Sequence, residues 1–142
     1  MRVYLDTNIL VFLFQKKRDE ISANTEDIID DYANTLITSS VCVQEFIHLC
    51  QIGKVIGDKK KKVVTDANDV LPWIEEMGIE IIPITAKHLS ALAALPLQDD
   101  HHDPNDRLII AQAISDRTAL ISSDHKFSQY KKYGLNFIMN KR

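Results

Sequence analysis

The segment RVYLDTNILVFLF, residues 2–14, decides the fold class of this protein. Apolar residues on both faces of residues 2–6 predict a short buried strand that ends in Asp6. The polar pair Thr7-Asn8 then leads into the apolar run 9–14, which is predicted as a helix. A strand that passes directly into a helix is typical of an α/β domain.

The rest of the chain alternates in the same way. Ser39-Ser40 offers hydroxyls for a helix N-cap, Gly53 is a plausible helix stop, and Pro72 falls in the first turns of a helix or kinks it. Such alternation implies right-handed crossovers and an α/β fold, with a mostly parallel sheet of four to five strands covered by helices on both faces. Further strands are predicted at 35–38, 79–84, 119–122 and 135–138, and helices at about 25–32, 41–52, 66–77, 85–96, 103–115 and 124–133.

Length and composition predict one compact domain. The 142 residues are 45% hydrophobic, which is enough to bury a proper core. No apolar run approaches the roughly 18 residues of a membrane-spanning helix, so we expect a soluble, cytoplasmic protein with no membrane partner. The only cysteines, Cys42 and Cys50, lie in one apolar stretch and are predicted to be buried thiols in a reducing compartment.

The formal net charge of -3 argues against nucleic-acid binding through bulk positive charge. Any such contact must be local. Two basic clusters could supply it, Lys16-Lys17-Arg18 and the run of four lysines at 59–62, although each taken alone is more often a solvated surface run.

Acidic residues follow the predicted strands at one edge of the sheet. Asp6 ends the first strand, Asp124 follows the strand 119–122, and Asp106 lies in the first turn of the helix at 103–115. Glu45 lies about one turn into the helix after the second strand. Carboxylates gathered without Lys or Arg repel one another unless a cation neutralises them, and oxygen ligands favour Mg²⁺ or Mn²⁺. This set predicts a site for phosphodiester hydrolysis.

Each acid also has a structural explanation. Asp103 is a good N-cap, and Asp106 at the third helical position suits the helix dipole. Asp124 could cap the following helix, and Glu45 could be an ordinary exposed helix residue. Asp6 is the strongest single candidate, because beyond a possible Asx turn it has no evident structural need.

The sequence offers less support for other kinds of site and other enzyme classes. His101 and His102 are predicted as loop residues near the substrate, since adjacent histidines rarely face one ligand together. No G-x-S-x-G, G-x-G-x-x-G or G-x-x-x-x-G-K-[ST] motif occurs, which excludes the corresponding serine hydrolases, dinucleotide-binding proteins and P-loop proteins. Phosphatases of the haloacid-dehalogenase type need a second Asp two residues after the first, and here that position is Asn8.

Four segments in order resemble PIN-domain ribonucleases of the VapC toxin type. Each is short, but together they span essentially the whole chain. They are YLDTNIL at 4–10, SSVCVQEF at 39–46, HDPNDRLIIAQA at 102–113 and LISSD at 120–124. One departure is Asn105, where these toxins often have Phe.

The resemblance implies one PIN domain over residues 1–142, RNA endonuclease activity, an Mg²⁺ or Mn²⁺ site, a homodimer and inhibition by a small antitoxin. A housekeeping RNA-processing nuclease and a catalytically silent domain that binds RNA or a partner are the alternatives. The resemblance assigns the catalytic acids to Asp6, Glu45, Asp106 and Asp124, the metal to Asp6, Asp106 and Asp124, and supporting roles to Asn8 and Ser39. It also leaves open whether Asp103 contributes to the metal site.

Overall fold

The computed structural model describes residues 1–55 and 66–141, in which five strands alternate with helices. The strands are β1 Arg2–Leu5, β2 Thr35–Ser39, β3 Glu80–Ile82, β4 Ala119–Ser122 and β5 Phe137–Met139. The α-helices are α1 Thr7–Phe14, α2 Ala23–Asp30, α3 Ser40–Gln51, α4 Val70–Glu76, α5 Ala86–Ala94 and α6 Pro104–Ser115. Short 3-10 helices cover Arg18–Glu20 and Ala67–Asp69, and a longer one covers His125–Tyr133.

All strand pairs are parallel, and the order across the sheet is β3-β2-β1-β4-β5. Strand β1 lies at the centre, where Tyr4 pairs with Ile37 on one side and Leu120 on the other. Its residues Val3, Tyr4 and Leu5 are all buried although they point to alternate faces, so helices cover both faces of the sheet. The predicted α/β architecture is confirmed, and the sheet has five strands.

The strand order creates a crevice beside β1. From β1 the chain builds outward to β2 and β3, and it then returns to place β4 on the opposite side of β1. The connections that leave β1 and β4 therefore diverge at the carboxyl ends of these two strands. Ligands of open parallel sheets bind at such a switch point. Asp6 and the segment 122–124 lie at this point.

Polar side chains at the strand ends begin the helices that follow. The Asp6 carboxylate accepts a hydrogen bond from the Thr7 backbone N–H, at 2.8 Å, and so caps α1. Asp6 therefore has a structural need that its sequence context did not reveal. Ser39 caps α3 by accepting from the Val41 N–H at 3.1 Å. Asp124 caps the 3-10 helix His125–Tyr133 by accepting from the Lys126 N–H at 2.9 Å.

Several predicted boundaries were wrong by a few residues. Strand β1 ends at Leu5 because Asp6 serves as a cap. The helix predicted at 25–32 lies at Ala23–Asp30, because the Ser22 hydroxyl caps it through the Thr25 N–H at 3.2 Å. Apolar patterning made the outer strands too long or misplaced them, because the sequence does not show where ladder pairing stops.

Two of the observed helical segments differ in type from the predicted helices. The helix at 66–77 is divided into the 3-10 helix Ala67–Asp69 and α4, where Pro72 lies in the first turn and needs no hydrogen-bond donor. The helix predicted at 124–133 is a 3-10 helix. It ends at Gly134, whose φ of 100° is a left-handed conformation that glycine adopts without strain.

The two free cysteines are buried, as predicted. Phe14, Phe46 and Trp73 pack edge to face and join α1, α3 and α4 into one apolar layer. The lysine run at 59–62 lies outside the described residues. Within the described parts of the chain, none of the helices has the length and apolar character needed to cross a membrane.

Candidate active site

Asp6 lies at the floor of the crevice and is only 4% exposed. Its carboxylate accepts hydrogen bonds from the Ser122 hydroxyl at 2.7 Å and from the Asn8 side-chain amide at 3.4 Å, in addition to the Thr7 N–H. Burial raises the pKa of Asp6 to about 7, against the effect of the bonds from Ser122 and Thr7, and the charges of nearby acids raise it further. Asp6 is thus an acid whose charged form the protein alone does not fully stabilise.

Asn8 and Ser122 tie the ends of β1 and β4 together. The Asn8 amide donates to the Ser122 hydroxyl at 3.2 Å, and its oxygen accepts from the Ser123 N–H at 3.3 Å. The Ser122 oxygen also accepts from the Asp124 N–H at 3.0 Å. One hydroxyl therefore contacts Asp6 and orients the chain at Asp124. Sequence reasoning proposed Asn8 but missed Ser122, whose only signal was its position two residues before an acid.

Glu45 reaches the crevice from α3. The Thr7 hydroxyl donates to its carboxylate at 2.7 Å, so Glu45 is not an ordinary exposed helix residue. One turn earlier, the buried Cys42 thiol lies 3.8 Å from the Asp6 carboxylate. Burial holds the pKa of Cys42 well above its usual range, so this side chain remains a thiol that can donate weakly to Asp6. Neither Thr7 nor Cys42 was predicted to contribute.

Asp106 projects from the first turn of α6, which Asp103 caps. One Asp103 oxygen accepts from the N–H groups of Asn105 and Asp106, at 2.9 and 3.0 Å. Burial raises the pKa of Asp106 to about 7, and the charges of Asp103, Glu45 and Asp124 contribute to the shift. Carboxylate oxygens of Asp103, Asp106 and Glu45 lie within 4.8 Å of one another. The capping role of Asp103 is confirmed, and its carboxylate also lies in the acidic group.

The two adjacent histidines have different environments. His102 is exposed, whereas His101 is buried and places Nε2 3.2 Å from a carboxylate oxygen of Asp106. Ligand atoms of His101, Asp106 and Asp124 lie within 4.8 Å of one another. The sequence offered no way to separate the two histidines, because the hydrophobic pattern of a loop does not show which side chain turns inward.

A cavity of about 340 Å³ lies beside Asp6. Asp6, Glu45, Asp106 and Asp124, the four acids predicted to be catalytic, all line it together with Asn8. Ser39 does not belong to this lining, because it is fully buried at the start of α3. The remaining wall is formed by Thr7, Val11, Phe12 and Leu49.

Among the residues that the structure describes, the only basic side chain within ion-pair distance of these acids is that of His101, beside Asp106. No Lys or Arg there forms an ion pair with Asp6, Glu45, Asp106 or Asp124. Buried Asp6 and partly buried Asp106, both with raised pKa values and beside further carboxylates, are the donor set that a hard divalent cation would stabilise. These oxygen ligands suit a hard divalent cation, and His101 supplies the one nitrogen ligand atom found beside them in the described residues.

A parallel sheet with acids gathered beyond its central strands defines a class of α/β domains suited to binding a divalent cation. The sequence model of the PIN domain family matches residues 3–133. The chain therefore belongs to the PIN domain family. No curated protein sequence matches it significantly.

Solved structures share this fold at low sequence identity. A chain of VapBC from Salmonella typhimurium, bound to DNA, is 15% identical with a TM-score of 0.70, and the match covers 99% of both chains. A chain of VapBC2 from Rickettsia felis, bound to a fragment of promoter DNA, is 23% identical with a TM-score of 0.68, covering 99% of this chain and 100% of the other. A chain of a toxin–antitoxin complex from Klebsiella pneumoniae is 20% identical with a TM-score of 0.65, covering 99% and 98%.

Proposed function

We propose that this protein is a metal-dependent endoribonuclease that hydrolyses RNA phosphodiester bonds, and that it is the toxin of a type II toxin–antitoxin system. The observation that carries the nuclease proposal is the convergence of Asp6, Glu45, Asp106 and Asp124 on one cavity without a Lys or Arg partner in the described residues. Membership of the PIN domain family supports the same activity.

Asp6, Asp106 and Asp124 would hold Mg²⁺ or Mn²⁺. When bound, such an ion neutralises phosphate charge and makes a water molecule a stronger nucleophile. The chain's own contribution is to fix the acids before substrate arrives, and Ser122 and Asn8 do this for Asp6. Thr7 holds Glu45 through a bond of 2.7 Å, which leaves the second Glu45 oxygen able to accept a proton.

Ser39 supports the site indirectly. Its side chain caps α3, the helix that carries Glu45, and so fixes where that helix begins. Loss of the cap would loosen the first turn of α3 and with it the approach of Glu45 to Thr7. This is a supporting role without contact to the substrate.

The toxin assignment rests on the structural neighbours. Chains of similar fold occur in complexes described as VapBC or toxin–antitoxin complexes. By analogy, we propose a cognate antitoxin protein as partner, a homodimer as the assembly and the cytoplasm as the location. A net charge of -3 requires RNA to be bound through local contacts, for which Lys16-Lys17-Arg18 is the described basic cluster.

Metal dependence tests the nuclease proposal. Purified protein should cleave RNA in the presence of Mg²⁺ or Mn²⁺, and EDTA should abolish this cleavage. Because water is the nucleophile, the products should carry 5′-phosphate and 3′-hydroxyl ends. Asp27→Asn, a change at an exposed acid on α2, is the matched control and should cleave like the wild type. Full cleavage in EDTA, or 2′,3′-cyclic phosphate products, would rule out this chemistry.

A cellular experiment separates the toxin from the two alternatives. Expression of the wild type should arrest growth, and co-expression of the protein encoded next to it should relieve the arrest. Growth arrest by an inactive Asp106→Asn variant would indicate instead a silent domain that acts by binding. Cleavage in vitro without arrest in cells would favour a housekeeping RNA-processing nuclease.

A further inference from the structure

His101 is held rigidly in the loop between α5 and α6. Its backbone N–H donates to the Gln98 carbonyl at 3.2 Å, and its ring is only 4% exposed. The imidazole packs in T-shaped contacts against two aromatic rings, with centroid distances of 5.4 Å to Tyr130 and 5.9 Å to Phe127. Such packing leaves the imidazole little freedom to turn.

The two ring nitrogens of His101 have different partners. Nδ1 lies 2.7 Å from the Tyr130 hydroxyl, and Nε2 lies 3.2 Å from an Asp106 carboxylate oxygen. A neutral imidazole carries one N–H and one acceptor nitrogen, so only one of the two nitrogens donates. The position of that proton decides whether Nε2 is a donor or an acceptor toward Asp106.

Tyr130 indicates where the proton lies. Burial raises the pKa of Tyr130, so its hydroxyl keeps its hydrogen. That hydrogen has a close acceptor in His101 Nδ1 at 2.7 Å and only a distant one in the His101 carbonyl at 3.5 Å. With Tyr130 donating to Nδ1, the ring proton lies on Nε2 and points at Asp106.

We propose that His101 is a positioning residue that donates from Nε2–H to Asp106 and, with Tyr130 behind it, fixes the orientation of this carboxylate for a divalent cation. The role rests on the proposed function of the same site. One Asp106 oxygen is engaged by His101, while the other accepts no hydrogen bond from the described residues. Hydrogen-bonded supports of this kind typically change metal affinity or activity by about 10- to 100-fold when removed.

The tautomer can be observed directly. Nitrogen-15 NMR of the imidazole rings in the metal-free protein should show His101 protonated at Nε2, with its signals assigned by their loss in His101→Gln. In Tyr130→Phe, which keeps the ring but removes the hydroxyl, the fixed tautomer should be lost. His102→Gln should leave the His101 signals unchanged, because His102 is exposed. A His101 ring protonated at Nδ1 in the wild type would overturn the proposal.

The consequence for the cation is tested with Mn²⁺ and no RNA. His101→Leu should weaken Mn²⁺ binding by about 10- to 100-fold, and His101→Gln, which retains an N–H donor, should recover most of this loss. His102→Leu is the matched control. An unchanged affinity in a folded His101→Leu protein, or no recovery by Gln, would overturn the positioning role. So would direct coupling of a His101 nitrogen to bound Mn²⁺ in pulsed electron paramagnetic resonance, because His101 would then be a ligand.

These measurements distinguish failure of the positioning role from failure of the nuclease proposal. A wild type that binds Mn²⁺ but cuts no RNA would remove the proposed function, while the His101 variants still report on the cation site. A wild type that cuts RNA, with His101→Leu binding Mn²⁺ as tightly as the wild type, would remove only the role of His101.

Discussion

Two buried histidines each contact an aspartate, at opposite edges of the sheet. At the amino edge, His88 Nε2 lies 2.9 Å from Asp116. At the carboxyl edge, His101 Nε2 lies 3.2 Å from Asp106. Both histidines are 4% exposed, so burial of the imidazole does not distinguish the pairs. The surroundings of the two carboxylates distinguish the two pairs.

Asp116 is satisfied by the protein itself. Burial alone would raise its pKa, but hydrogen bonds from the Tyr4 hydroxyl and His88 and the charge of Lys87 outweigh burial, and the pKa is lowered. Asp106 lies among Asp103, Glu45 and Asp124, and its pKa rises to about 7. The same pair of residue types thus forms a closed structural contact at one edge and an incompletely neutralised acid at the other.

Cavity size alone would have favoured the edge beside Asp116. The cavity beside Asp116 has a volume of about 620 Å³, larger than the 340 Å³ of the acidic one. Its wall contains Arg2, Lys87 and Arg117, so its one acid has cations nearby. Unbalanced charge therefore identifies the candidate active site better than volume does.

The largest expected difference between the edges is in catalysis. Asp106→Asn should reduce RNA cleavage by about 1,000-fold or more, since the cation contributes several kcal/mol to the transition state. Asp116→Asn should cleave nearly as the wild type does, but it should lose about 1–3 kcal/mol of stability because the buried Tyr4 and His88 groups lose a charged partner. Cleavage rates and urea unfolding of both variants check this. Equal loss of cleavage in both would contradict the division of roles.

The next effect concerns the pH dependence of stability without metal. The pKa of Asp6 is about 7 in the folded protein and about 3.9 in an unfolded chain. Between these two pH values the folded state holds a proton that the unfolded state has released, and this difference in proton binding stabilises the folded state. The stabilisation is complete at low pH and is lost as pH rises through about 7. Asp6→Asn has no such proton to lose.

The stability of Asp6→Asn relative to the wild type should therefore rise by on the order of 2 kcal/mol between about pH 5 and about pH 8. Urea unfolding in EDTA at the two pH values measures it. Asp27→Asn, the exposed control, should show no such trend. A constant difference across this range, or a large loss of stability at both values, would mean that Asp6 is a structural residue.

The smallest effect separates capping from catalysis within the acidic edge. Asp103→Ala should cost about 1 kcal/mol, because α6 loses the acceptor for two first-turn N–H groups. Asp103→Ser should keep most stability and activity, since a hydroxyl can still accept. Melting curves and cleavage rates of both variants test this. A stable Asp103→Ser protein without cleavage would assign Asp103 to the metal site instead.

Much of the fold was predictable because parallel sheets leave a strong local pattern. Strand β4 was predicted at its observed bounds, since four buried residues are preceded by a polar turn and followed by Ser and Asp. The caps of α3 and α6 were predicted from the Ser39-Ser40 pair, of which Ser39 is the cap, and from Asp103, because capping depends on residues two or three positions apart. Boundaries failed where a nearby cap or the limit of strand pairing decided them, as at Ser22 and in β3.

The sequence by itself proposed the acids of the candidate site, because a parallel sheet brings the carboxyl ends of its strands to one edge whatever lies between them. Sequence reasoning placed Asp6 and Asp124 after strands and put Glu45 and Asp106 near the starts of helices. The structure brings all four side chains to one cavity. Only the tertiary structure decided which neighbours hold them. Thr7 and Ser122 contact acids that are far away in the sequence, and contacts between distant residues leave no periodic signal in a single sequence. His101 lies only five residues before Asp106, but the pattern of a loop does not show which side chain turns inward. Their geometry, and the burial that raises the pKa of Asp6 and of Asp106, arise only when the strands pair and the helices pack against the sheet.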